Sequence, residues 1–137
     1  TVGYFDERLR LVEDLEYWLR VALACPMAHL DDICLLRRRH EDNTSSDAVA
    51  MALAGLRVME EQGRQHYAEA RAQGIDLHER IARDYQNLGH LYMRRDAHRD
   101  AARAYRRAFR GAPNFRLAYH WLAAVAAWAG IRRSGNE

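Results

Sequence analysis

The apolar residues between Glu13 and Ala24 (Leu15, Trp18, Leu19 and Ala22) recur at i, i+3, i+4 and i+7. That spacing predicts a helix with one buried face, anchored by Trp18 and Leu19. Pro26 should end it and push Cys25 toward extended backbone. Ahead of it, "FDERL" predicts a turn that packs Phe5 and Leu9 on the core. The pattern then changes period. In "ICLLRRRH", Ile33, Leu35, Arg37 and Arg39 alternate with Cys34, Leu36, Arg38 and His40, which predicts a strand. Beyond it, Thr44, Ser45 and Ser46 are candidate N-caps, and Asp47 suits the first turn of a helix running through Met59. Gly63 is expected to interrupt this helix before a continuation toward Ala72, and "QGID" breaks the chain.

From Asp76 onward the pattern is helical throughout. Asp76 and Glu79 have capping-box spacing. Three helices are predicted, in "HERIARDYQNLGHLYMRR", "HRDAARAYRRAFRG" and "NFRLAYHWLAAVAAWAG", with breaks near Asp96 and at Gly111 to Asn114. Gly89, Ala101 and Ala108 fall where helices must approach closely, and Tyr85, Leu88, Tyr92, Tyr105 and Phe109 supply bulk between them. Tyr85, Leu88, Gly89, Tyr92, Ala101, Tyr105, Ala108 and Pro113 resemble the tetratricopeptide repeat signature. A step of ~34 residues carries Tyr85 onto Tyr119, Leu88 onto Leu122 and Gly89 onto Ala123, so a second repeat begins. Repeats of this kind need stacked neighbours to bury a core, and the helix from Ser46 is the expected neighbour.

The 137 residues are 49% hydrophobic and 29% charged, which fits a folded, soluble chain. A net charge of +2 argues against nucleic acid and anionic membrane as partners. All 21 basic residues are Arg, read as codon bias rather than as phosphate binding. No apolar run approaches the ~20 residues of a membrane span. Cys25 and Cys34, without a secretory signal, read as reduced thiols in the cytosol, leaving membrane association to other parts or partners. The chain opens at Thr1 in what looks like the middle of a motif, which suggests a fragment.

"GYFDERLRLVEDLEYWLRVAL", followed by "LLRRRHEDNTS", resembles the C-terminal part of the catalytic domain of family 2 glycosyltransferases, which have the GT-A fold. The matching residues are Gly3, Phe5, Asp6, Glu7, Glu13, Asp14, Trp18, Leu19, Arg20, Arg38, His40, Asn43 and Ser45. Arg37 stands where the family usually has Tyr. The resemblance covers about the first third of the chain and implies a small α/β remnant (helix plus strand) over residues 1–45; the helical pattern gives a connecting helix over 46–75 and tetratricopeptide-like antiparallel helical pairs over 76–137. The expected fold class is therefore mainly α.

An acid at a helix start ordinarily caps the helix and meets its dipole. The resemblance gives Asp14 a second role. It would be the general base of an inverting transfer of a sugar from a nucleotide-sugar donor to a hydroxyl acceptor, with Glu13 as a supporting acid. It further implies His40 as a ligand of a divalent ion (Mg or Mn) bound with the donor, and Arg38 as a diphosphate contact. Arg20 reads as the structural partner of an acid. "LDD" at Leu30–Asp32 resembles a metal-binding Asp-x-Asp but follows the catalytic helix, and is rejected. No Gly-rich loop or Asp-x-Asp precedes Asp14, so the chain alone is expected to be inactive. The competing reading is a tetratricopeptide-like interaction module with no catalytic role. The arginines at 99, 103, 106, 107 and 110 could face an acidic partner, but a solvated helix face paired with Asp96 and Asp100 is the preferred account of them.

Overall fold

The computed structural model describes residues 2–36 and 47–134, and for residues 131–134 only the backbone. Six helices occur in this range: α1 (Glu13–Ala24), α2 (Ala48–Gln65), α3 (Tyr67–Ala72), α4 (Leu77–Met93), α5 (His98–Gly111) and α6 (Phe115–Ser134). The chain divides into two compact units, residues 1–58 and 59–137, with the boundary inside α2.

In the first unit, Val12 enters α1 in left-handed backbone (φ 58°), a strained conformation for a β-branched residue. The helix stops at Ala24, and Cys25 before Pro26 is extended, as the Pro rule requires. Val12, Val49, Leu56 and Val58 are buried, whereas α1 contributes no buried residue. Trp18 is 54% exposed, which corrects its expected role as a core anchor. α2 begins one residue after Asp47, whose carboxylate accepts from the amides of Val49 (3.0 Å) and Ala50 (3.2 Å). Asp47 is thus the cap itself; Thr44, Ser45 and Ser46 lie outside the described residues.

The described part of the expected strand, Ile33 to Leu36, is not a strand. Ile33 to Leu36 are irregular, with Ile33, Leu35 and Leu36 each more than 80% exposed, and no strand occurs among the described residues. Alternation describes a surface that can pair, but a strand holds only where a second strand takes its amides and carbonyls. None is present among the described residues, so the helix-plus-strand remnant is replaced by an all-helical arrangement. Arg37 to His40 lie outside the described residues.

The second unit carries the larger core. α2 passes unbroken through Gly63, where a side chain would meet Leu77 and Ile81 of α4, and ends at Gln65. Asp76 caps α4 by accepting from the amides of His78 (2.9 Å) and Glu79 (3.1 Å). The capping box is only half made, because the Glu79 carboxylate turns to Arg83 at 3.0 Å. α4 and α5 are antiparallel: Gly111 at the end of α5 meets Ala82 near the start of α4, and Tyr105 meets Gly89 midway. Ala101 and Ala108 have no exposed surface, and Tyr105 is 1% exposed. α6 lies against α5 through Phe109 and Trp121, and Leu117 and Ala124 are buried.

Gly89 is required at that crossing. A Cβ there would lie 2.5–2.8 Å from three ring atoms of Tyr105. Gly89→Ala should gain helix propensity of up to about 1 kcal/mol but lose about 1–3 kcal/mol to overpacking. The net expectation is destabilisation, seen as a lower urea midpoint. A midpoint equal to or above that of the parent chain would show that the Tyr105 ring has room to yield.

Candidate functional site

Asp14 lies in the first turn of α1, where backbone amides lack helical partners. Its carboxylate accepts from the Leu15 amide at 2.7 Å, and both Asp14 and Glu13 are exposed. The helix behind them is tied to the loop before it by Arg20. This guanidinium grips Glu16 through Nε (2.7 Å) and Nη2 (2.9 Å), donates to the Tyr4 carbonyl (2.8 Å), and also reaches the carbonyl of Val2. Phe5 packs on Tyr17 with ring centroids 4.6 Å apart, and Tyr17 meets Trp18 edge-on. Arg20 is therefore the partner of an acid, and of the Gly3 to Phe5 loop as well.

Within the loop, Asp6 accepts from the Arg8 side chain at two oxygens (both 2.9 Å) and from the Arg8 amide. These hydrogen bonds hold the Asp6 carboxyl at about 2, below the usual carboxylate range. Asp6 is thereby fixed as an ionised turn residue. Glu7, the other acid of the pair, is exposed.

Arg38 and His40 lie outside the described residues. The acids nearest the head of α1 do not replace a ligand set for a divalent ion, because Glu16 is engaged by Arg20 and Glu13 and Asp14 are exposed carboxylates without a third ligand. Among the described residues, no three His, Cys, Asp or Glu side chains are grouped to hold a metal ion. Asp31 of the rejected "LDD" pairs with His29 at 3.3 Å, both fully exposed. Cys25 and Cys34 are free, exposed thiols. No described helix is long and apolar enough to cross a membrane.

Two clusters in the second unit were not foreseen from the sequence. In the first, the Tyr85 hydroxyl donates to Glu60 at 2.6 Å while Arg107 donates to the same oxygen and lies over the Tyr85 ring, 5.2 Å from its centroid. A cleft of about 700 Å³ opens beside it, lined by Glu60, Tyr67, Leu77, His78, Ile81 and Arg107. In the second, His90 of α4, Tyr105 of α5 and His120 of α6 converge, with the His90 and His120 rings 4.9 Å apart and edge to face. The Tyr105 hydroxyl is 2.8 Å from His90 Nδ1. Burial raises the Tyr105 hydroxyl above its usual value and so keeps it protonated; which of the two groups donates depends on the His90 tautomer. His120 Nε2 is buried without a protein hydrogen-bond partner. The two histidines are 30 positions apart on different helices; only the packing of α6 on the α4–α5 pair brings them together.

Burial pushes His90 below the usual imidazole value, and His120, Arg116 and Arg94 add to the effect. Its folded value thus lies below the ~6.5 of an unfolded histidine. The contribution is fully present above that unfolded value and is lost as pH falls below it. The thermal midpoint is expected to drop between about pH 7 and about pH 5, and to drop less in His90→Gln. Equal drops in both would place the acid sensitivity elsewhere.

No protein-family profile matches the chain, and neither a curated protein nor a solved structure matches it.

Proposed function

We propose that this chain carries the acceptor-activating base of an inverting glycosyltransferase, and that Asp14 is that base. The observation that supports the reading is the exposed Asp14 carboxylate at the head of α1, on a helix that Arg20 locks to the Gly3 to Phe5 loop. A general base must be open to its substrate, as this exposed carboxylate is. In the step proposed, the acceptor hydroxyl oxygen forms a bond to the anomeric carbon of the donor sugar. The bond from that carbon to the nucleotide diphosphate breaks, and the hydroxyl proton passes to Asp14. Attack opposite the leaving group inverts the anomeric centre. Glu13 adds negative charge beside the base and accepts no proton in the step.

The chain alone is expected to transfer no sugar. The test is sugar transfer and donor binding by the full-length protein carrying Asp14→Asn.

A second reading, a helical interaction module of tetratricopeptide type, draws support from the successive packing of α4, α5 and α6. It is also supported by the exposure of Tyr119 (64%) and Leu122 (63%), whose counterparts Tyr85 and Leu88 are buried. Removing residues 76–137 from the parent and measuring retention of its partners separates this reading from the catalytic one.

A further inference from the structure

The surface of the α4–α5 hairpin contains a second recess, of about 390 Å³, whose charge is one-sided. Arg103, Arg106, Arg107 and Arg110 line it, against one carboxylate, Asp100. Two of the four guanidinium groups are already committed. Arg103 pairs with Asp100 at 3.2 Å, and Arg107 is held by Tyr85 and lies 3.9 Å from Glu60. Arg106 and Arg110 are exposed and have no ion-pair or hydrogen-bond partner among the described residues. They stand one helical turn apart, about 6 Å along the axis of α5. Tyr85 and Tyr92 form the facing wall. Like-charged side chains one turn apart repel each other, so this spacing contributes nothing favourable to α5 itself.

We propose that this groove binds an extended acidic segment of a partner protein, with two carboxylates seated on Arg106 and Arg110. In an extended chain, residues two apart point the same way at a spacing of ~6.6 Å, close to the ~6 Å axial rise between Arg106 and Arg110 on α5. Each can form a forked pair with one carboxylate. The intervening residue of the ligand would turn its backbone toward the Tyr85 and Tyr92 wall. A long phosphate backbone is disfavoured by the small net charge of +2 and by Asp100 and Glu60 beside the groove. The inference concerns α5 and is independent of the role of Asp14.

The experiment uses the 137-residue chain and a fluorescein-labelled peptide of alternating glutamate and threonine, ~10 residues long, read by anisotropy at low salt. Binding is expected, and Arg106→Ser with Arg110→Ser should weaken it about tenfold or more. Lys at both positions should restore only part of the loss, because an ammonium keeps the charge without the fork. Both arginines are exposed, so helicity by circular dichroism should stay unchanged. Three results would overturn the proposal: no binding of the acidic peptide, an equal loss on replacing Arg80 and Arg83 of α4, or tighter binding of a mixed-sequence oligonucleotide.

Discussion

Replacing Asp14 with Asn in the full-length protein is expected to lower sugar transfer by about 10²–10⁴-fold with donor affinity nearly unchanged. The amide has almost the shape of the carboxylate and can still accept from the Leu15 amide, so the start of α1 should keep its geometry. What it cannot do is take a proton. A loss confined to turnover would therefore identify the missing function as base catalysis. Glu13→Gln is the matched control, since it removes a neighbouring charge on the same turn and should cost far less. Full activity in Asp14→Asn would remove Asp14 from the mechanism. Equal loss in both variants would point to the summed charge at the helix start.

Tyr105→Ala is expected to destabilise the second unit by about 3–5 kcal/mol, the range for removing a large buried aromatic. The ring is 1% exposed, fills the space beside Gly89, and stacks on His120 with centroids 5.4 Å apart. Its hydroxyl also occupies His90 Nδ1. Tyr105→Phe keeps the ring and loses the hydrogen bond, for an expected cost of about 1 kcal/mol. Denaturant titration of the two variants separates packing from hydrogen bonding. If Phe were as damaging as Ala, the His90 contact would carry the core, and the account of Gly89 given above would need revision.

Helix boundaries were largely legible in the sequence, because their causes are local. Pro26 stops α1 through its neighbour's backbone, Asp76 caps α4 with its own side chain, and the small residues Gly89, Ala101 and Ala108 mark the helix crossing. The predicted strand at Ile33 failed because alternation was read without the partner a strand needs, and the described residues supply none. Trp18 departs from its expected burial for a related reason: the helical period identifies an apolar face but does not say that another element covers it. Glu79 has the right spacing for a capping box, yet Arg83 one turn on competes for it. The Glu60–Tyr85–Arg107 and His90–Tyr105–His120 clusters join residues 15 to 30 or so positions apart, and spacing within one helix carries no trace of them. Of the candidate site, the sequence supplied Glu13 and Asp14; the engagement of the preceding loop by Arg20 emerged only from the fold.

That engagement has a mechanical consequence. One planar guanidinium spans a carboxylate on α1 and two carbonyls of the preceding loop. The segment around Tyr4, whose side chain is 95% exposed, is thereby coupled to the helix that carries Asp14. A molecule that draws the Tyr4 carbonyl away from Arg20 would remove one of the contacts that tie α1 to that segment.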